Sequence, residues 1–412
     1  MNQEILTAES LHVTHPTAKL HTDISLPSSK SESNRVLIIN ALCDTPCQLT
    51  NLSEARDTQT MLKLLASTEH TLDVLDAGTT MRFLTAWCSV SNRKAILTGT
   101  ERMCERPIGI LVDALRTLGA DIRYLRNEGF PPIEIGEFKP KTNLLTIRGD
   151  ISSQYISALL MVAPKLPNDL QLSLEGKVAS VPYIKMTLQL MEKFGVKAHW
   201  QGNSISVAPQ QYKANQYAVE SDWSASSYWF SMVALAHEGE IKLLGLKTDS
   251  LQGDKAIVEI MEKLGVSTIF ETDGIRLRKT KTEKEFNYDF SNCPDLAQTI
   301  AVIGAAKGVK MKLTGLESLK IKETDRILAL KNELKKFGIQ AQDHHDSELH
   351  IPASTIQAPK QMVNTYKDHR MAMAFAPLAL LFPVTIERAE VVSKSYPTFW
   401  ADLQKAGFQL KY

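Results

Sequence analysis

Hydrophobic positions along the chain repeat one phrase. LVDALRTLGADIRY, TLQLMEKFGVKAHW, AIVEIMEKLGVSTIF, ILALKNELKKFGIQAQ and FWADLQKAGFQL each place apolar residues at helical spacing, then a glycine, then a short β-type run. The glycines are Gly119, Gly195, Gly265, Gly338 and Gly407, separated by 76, 70, 73 and 69 residues. Glycine suits the end of a helix because it takes a positive φ without a Cβ clash. The phrase predicts amphipathic helices, each running into a strand.

A second kind of helix begins about 30 residues after each of the first four glycines. Its start is polar: Ser152-Ser153-Gln154, Ser224-Ala225-Ser226-Ser227, Pro294-Asp295 and Asp368-His369-Arg370, with Ala77-Gly78-Thr79-Thr80 in the same phase upstream. Smooth apolar runs follow, such as YISALLMVA, DLAQTIAVIGAA and MAMAFAPLALL. A helix apolar on every side is a buried one. Ordinary N-capping explains any single polar start. Several in one phase imply more, because helix N-termini that share a space present free N–H groups and positive dipole ends to an anion.

The first unit is irregular. It has a helical pattern over Thr58–Ala66 but no terminating glycine, and only a short link to Gly78. Five clear units and one eroded unit in 412 residues fit two domains of three units, since one hydrophobic core rarely serves so long a chain. The expected boundary lies near Glu220–Asp222, after the polar stretch QGNSISVAPQQYKANQYAVE. The first ~25 residues read as β-rich, able to pair with either half.

Composition narrows the function classes. Lys plus Arg is 47 against 46 for Asp plus Glu, a net charge of +1, which argues against a general nucleic-acid or membrane-surface binder. A local basic cleft is still compatible with that balance. No apolar run reaches the ~18 residues of a membrane span; Tyr228–Ala236 and Ala376–Phe382 read as buried helix. MNQEILTAES carries no signal-peptide pattern. Cys43, Cys47, Cys88, Cys104 and Cys293 read as reduced cytoplasmic thiols, and the lone CxxxC of Cys43 and Cys47 is weak evidence for metal. His344, His345 and His350 read as a solvated loop.

Charged residues collect at the polar helix starts. Lys30-Ser31-Glu32-Ser33-Asn34-Arg35 puts two cations and several hydroxyls at one start, with Ser31 and Arg35 on one helical face. This is not a P-loop, because GxxxxGK[ST] is absent. Gly78 in Asp76-Ala77-Gly78-Thr79-Thr80 lets an anion approach the backbone. Arg106 precedes Pro107, which favours extended chain. Lys322-Glu323-Thr324-Asp325-Arg326 opens another helix, where Thr324 or Asp325 caps and Lys322 and Glu323 are not needed for capping. Arg370 and Lys394 stand in DHR and SKSYP. A cation at a buried helix start opposes the dipole, and a bound anion would offset that. Lys30, Arg35, Arg106, Lys322, Arg326, Arg370 and Lys394, with Asp295 and Glu323 among them, suit substrates carrying phosphates and carboxylates.

LPSSKSESNR, AGTTMRF, ERPIGILVDALRTLGA, ISSQYISALLM, KETDR, DHRMAMAFA and SKSYPTFW together resemble the motifs of the 5-enolpyruvylshikimate-3-phosphate synthase family, in that order, over about Leu26–Phe399. The resemblance implies an α/β fold of two domains, each of three βαβαββ-type repeats around buried parallel helices, an inside-out α/β barrel. Residues 29–220 would form one lobe, residues 1–28 with 221–412 the other, and the active site would lie in the interdomain cleft. The implied reaction moves the enolpyruvyl group of phosphoenolpyruvate onto the 5-hydroxyl of shikimate 3-phosphate and releases phosphate, a step toward aromatic amino acids. No metal or cofactor, no nucleic acid and no membrane are implied; the enzyme would be a cytoplasmic monomer.

By motif position, the resemblance assigns Lys30, Ser31, Arg35, Ser152, Ser153, Gln154, Ser180, Tyr183, Asp295 and Lys322 to shikimate 3-phosphate. It assigns Lys30, Gly78, Arg106, Gln154, Arg326, Arg370 and Lys394 to phosphoenolpyruvate. Asp295, Glu323 and Lys30 would be catalytic, Asp295 taking the hydroxyl proton and Glu323 exchanging one with the methylene carbon. Ser28, Asp76, Phe83, Cys104 and Ser318 depart from the family pattern, and the Asp57–Asp76 stretch is short. Asp76 adds a negative charge beside an anion site. The rival readings are UDP-N-acetylglucosamine enolpyruvyl transferase, which lacks KETDR, and a non-catalytic anion-binding relative, which would have no use for acids beside the anions.

Overall fold

The computed structural model describes residues 9–412. They form two compact units: Ser29–Val219, and Glu220–Tyr412 together with the described residues up to Ser28. One plan recurs in both. A strand leads into a buried inner helix, then a parallel strand, then an amphipathic outer helix, then an antiparallel hairpin that completes a four-stranded sheet.

In the Ser29–Val219 unit, the inner helices are Lys30–Leu42, Gly78–Val90 and Ser153–Val162. One four-stranded sheet runs Thr71–Asp73, Ala95–Thr98, Ile133–Phe138, Ala120–Tyr124, and a second runs Ala198–Gln201, Ser204–Val207, Leu170–Glu175, Leu144–Arg148. The third is reduced to Gln48–Thr50 paired in parallel with Gln216–Ala218. No hairpin follows its outer helix, Arg56–Ala66; the chain passes directly to the strand Thr71–Asp73. That is the physical content of the eroded first unit.

In the other unit, the inner helices are Trp223–Leu235, Ala297–Ala306 and His369–Phe375. Lys19–Ser25 pairs in parallel with Glu238–Leu244, which pairs antiparallel with Gly274–Lys279. Glu285–Asp289 and Lys310–Thr314 start the second sheet in the same way. In the third sheet the N-terminal strand Ser10–Thr14 lies between Val384–Glu387 and Gln409–Lys411, antiparallel to both. Val363 bridges Ile386 in parallel, so only a single bridge represents the leading strand. The N-terminal segment thus completes two sheets of this unit.

The five terminating glycines all have positive φ, from 82° to 122°, as a helix C′ position requires. The inner helices are buried all round; Trp223, Trp229, Phe230 and Phe375 are among the largest fully enclosed side chains. Three local expectations are corrected. The MAMAFAPLALL segment is not one helix: the α-helix ends at Phe375 and Ala376–Leu380 is 3-10, because Pro377 has no N–H for the next α-type bond. His344 and His350 lie on paired strands rather than in an open loop, with His345 and Asp346 at positive φ in the turn. Arg106 lies in a bend, its N–H bonded to the Met103 carbonyl at 3.1 Å, and not in extended chain.

Candidate active site

In the Ser29–Val219 unit, the site residues gather where the inner helices begin. Ser29 caps the first, its Oγ accepting from Glu32 N, which sets Lys30 and Ser31 in the opening turn. Lys30 Nζ donates to Asp57 Oδ2 at 3.0 Å, an ion pair that is largely enclosed. Arg35, one turn on, is 2% exposed and donates to Thr187 Oγ1 at 2.7 Å, Ser157 Oγ at 3.1 Å and the Ser31 carbonyl at 2.9 Å. Burial lowers its pKa to about 10, against the raising influence of Tyr183 and Glu32. Arg35 therefore pins three helices together beneath the helix start.

Gly78 opens the second inner helix directly under Arg106. A Cβ at Gly78 would stand 2.7–2.9 Å from the Arg106 guanidinium, so glycine is what permits this approach. Arg106 is 7% exposed, and its Nε makes no hydrogen bond among the described residues. A buried cation with an unused donor, over N-terminal helix amides, is a set of donors arranged for an anion. Arg82 braces the loop by donating to the carbonyls of Gly78 (3.2 Å) and Pro107 (2.8 Å). Gln154 Nε2 donates to Thr79 Oγ1 at 3.0 Å, and the Tyr155 hydroxyl to the Pro107 carbonyl at 2.5 Å. Ser152 caps the third inner helix, next to Ser153 and Gln154. Ser180 sits at φ 54°, a left-handed conformation that a non-glycine residue adopts only under constraint, and starts the helix that carries Tyr183.

The other unit gathers the remaining residues around Arg326. Asp325 caps the helix Arg326–Lys336, which places Arg326 at its first position, 2% exposed. Its guanidinium donates to Asp368 Oδ2 at 2.7 Å, Asp295 Oδ1 at 3.1 Å and Glu323 Oε2 at 3.0 Å. Arg370 donates to Asp295 Oδ2 at 2.7 Å and to the Tyr228 hydroxyl at 3.3 Å. Lys394 Nζ, 1% exposed, lies 3.8 Å from Glu323 Oε1. Burial alone would raise the Asp295 pKa, but Arg370, Lys322 and Arg326 outweigh it and hold the carboxyl well below the usual range. For Arg326 burial is likewise overcome, by Asp368, Glu323 and Asp295, and its pKa is raised. Burial pushes the Tyr228 hydroxyl up to about 12.

These cations are not an open positive patch. Lys322, Arg326, Arg370 and Lys394 stand among Asp295, Glu323 and Asp368, so their own carboxylates already offset much of the charge and the adverse helix dipoles. Sequence reasoning missed Asp368, Tyr228 and Asp57 as partners. Asp368 was visible inside DHR, but as a cap rather than as the second hand on Arg326; it does both, accepting from Arg370 N at 2.8 Å. Two surface grooves of about 520 and 510 Å³ contain none of the predicted site residues. Among the described residues no three His, Cys, Asp or Glu side chains group as metal ligands.

The family model for EPSP synthase (3-phosphoshikimate 1-carboxyvinyltransferase) matches residues 14–72 and 65–403. A curated 3-phosphoshikimate 1-carboxyvinyltransferase of Bacteroides fragilis (strain YCH46) is 50% identical over 398 residues, covering 96% of this chain and 97% of its own. The protein of that name from Haemophilus influenzae (strain PittEE) is 36% identical over 424 residues, with 95% and 97% covered. A solved EPSP synthase from Acinetobacter baumannii superposes with TM-score 0.79 at 21% identity, covering 98% of this chain and all of its own, which is a likeness of fold.

Proposed function

The chain belongs to the EPSP synthase family, and from that premise we propose which of its side chains carry out the family reaction. It is a 3-phosphoshikimate 1-carboxyvinyltransferase of the shikimate route to aromatic amino acids. The enolpyruvyl group of phosphoenolpyruvate passes to the 5-hydroxyl of shikimate 3-phosphate, and inorganic phosphate leaves.

The proposal divides the work between the two clusters. Ser31, Arg35, Ser152, Ser153, Gln154, Ser180 and Tyr183 hold shikimate 3-phosphate, with Lys322 and Asp295 completing its contacts. Lys30, Gly78, Arg106, Gln154, Arg326, Arg370 and Lys394 hold phosphoenolpyruvate. Arg suits this task because its planar fork binds carboxylate and phosphate oxygens in pairs. Fixed cations remove the repulsion between two polyanions, and holding both in register supplies much of the remaining acceleration.

Proton transfer falls to Asp295 and Glu323. Asp295 receives the proton of the attacking hydroxyl. In the structure its basicity is suppressed by Arg370, Lys322 and Arg326. An anionic substrate that draws those cations to itself relieves the suppression, so Asp295 becomes a better base when the donor arrives. Glu323, between Arg326 and Lys394, delivers a proton to the methylene carbon and stabilises the oxocarbenium character that follows.

The observation that carries this reading is Arg326 bridging Asp295 and Glu323. The two acids required for the two proton transfers share one buried guanidinium, an arrangement that a passive anion binder has no need of. The proposal also places the enzyme in the cytoplasm, which its five free cysteines suit. The test is release of inorganic phosphate from saturating shikimate 3-phosphate and phosphoenolpyruvate; no release above background sinks it.

A further inference from the structure

Arg56 opens the helix Arg56–Ala66, and its Nη2 atom straddles both carboxylate oxygens of Asp76, at 3.0 and 2.9 Å. Asp76 lies two residues before Gly78, so the two Cα atoms are at most about 7 Å apart. Its carboxylate therefore stands beside the start of Gly78–Val90, where the Arg106 guanidinium lies over the glycine. A carboxylate is the wrong charge for that position. Uncompensated and roughly 7–10 Å from a bound anion, it would weaken that anion's affinity about four- to eightfold at an effective dielectric of roughly 40, between that of a protein surface and that of water.

The next residue of the same helix has the opposite pairing. Asp57 accepts from Lys30 Nζ at 3.0 Å, and its backbone carbonyl accepts from Thr80 Oγ1 at 3.2 Å. Two consecutive side chains thus reach two parts of the donor-binding cluster, Asp57 to a cation and Arg56 to an anion. Their position follows from the eroded first unit. With no hairpin after Arg56–Ala66, the chain enters the strand Thr71–Asp73 at once, and Arg93 donates to the carbonyls of Leu64 and Ser67 at 3.4 and 2.5 Å. The helix is thus held to both ends of Gly78–Val90, by Thr80 at its start and by Arg93 just past its end.

We propose that Arg56 is a specificity-determining positioning residue for the anionic donor, neutralising Asp76 so that the Gly78 helix start accepts the phosphate or carboxylate of phosphoenolpyruvate. The inference rests on the assignment of Gly78 and Arg106 to that substrate. Arg56 itself touches no reacting atom. Its side chain is 45% exposed, so its removal leaves the core intact.

The experiment is a double-mutant cycle on the full chain. With shikimate 3-phosphate saturating, Arg56→Ala raises the KM for phosphoenolpyruvate about four- to eightfold, while kcat and the Kd for shikimate 3-phosphate stay within about twofold. Arg56→Ala combined with Asp76→Asn returns that KM to within about twofold of the unmodified protein. A single variant with unchanged KM overturns the proposal. So does a double variant as impaired as Arg56→Ala, because Arg56 then acts through something other than Asp76. Calorimetric titration with phosphoenolpyruvate alone must rank the variants in the same order; if turnover is absent in the unmodified protein but this ranking holds, the reaction assignment fails and the charge pair stands.

Discussion

Arg326 and Asp368 form a buried two-point pair: Nε reaches Oδ2 at 2.7 Å, Nη2 approaches Oδ1 at 3.5 Å, and Asp368 is fully enclosed. The same carboxylate caps the His369–Phe375 helix through Arg370 N. One acid thus fixes both arginines that hold Asp295. Asp368→Asn keeps a capping acceptor but removes the charge, leaving Arg326 buried with one counter-ion fewer. Breaking a buried pair on one side costs about 3–5 kcal/mol. Urea unfolding is expected to show a loss of that order, and a change below about 1 kcal/mol would contradict the pairing.

Glu323→Gln removes a proton carrier while keeping nearly the same shape. Glu323 Oε2 accepts from Arg326 Nη2 at 3.0 Å and Oε1 lies 3.8 Å from Lys394 Nζ; the single amide oxygen of glutamine can keep the Arg326 bond, with its NH2 turned toward Lys394. Turnover is expected to fall roughly 100-fold or more, the scale of a lost general acid. Affinity for shikimate 3-phosphate should change little, because the group acts in the transition state. Equal losses in kcat and in binding, measured by steady-state kinetics and calorimetry, would make Glu323 a binding residue.

The inner and outer helices were legible because each carries a local signal: all-apolar sequence for one, amphipathic spacing and a terminal glycine for the other. Asp325 and Ser152 cap as their sequences imply. Strand pairing had no such signal. Lys19–Ser25 pairs with Glu238–Leu244 across more than two hundred residues, and nothing local in either strand names its partner. Side-chain pairing was hidden for a related reason. Lys30 and Asp57, or Arg326 and Asp295, stand 27 and 31 residues apart, at the starts of the inner and outer helices of one repeat, so only tertiary packing brings them within 3.1 Å. Charge read along the chain therefore overstated how positive the site is, because the neutralising acids come from elsewhere in the sequence.

Gly78→Ala tests the close approach over the second inner helix. The added Cβ would stand 2.7 Å from Arg106 Nη1, far inside contact distance. Since the atoms met are the far end of a side chain, the guanidinium swings aside and the fold survives. The expected result is an unchanged unfolding midpoint with a KM for phosphoenolpyruvate raised about tenfold, equivalent to one lost charge-assisted hydrogen bond. An unaltered KM would place the anion away from Gly78.

Asp254 predicts a pH dependence of stability. It is buried, and the Ser224 hydroxyl donates to its Oδ2. Burial foremost, then the nearby Asp295 and Asp222 charges, raise its pKa from 3.8 to about 7, against the lowering effects of Arg370 and the Ser224 bond. For an acid raised in the folded state, the unfolded chain loses its proton first as pH rises. The folded protein therefore loses stability from about pH 4 up to about pH 7, at close to 1.4 kcal/mol per pH unit where the difference is full, and levels off above. Asp254→Asn keeps a side chain that can pair with Ser224 and has no proton to lose. Compared with the unmodified protein by urea unfolding at pH 4.5 and pH 8, it should gain relative stability at the higher pH. Parallel stability curves across that interval would mean that Asp254 is already ionised in the fold, screened by Arg370 more effectively than its burial implies.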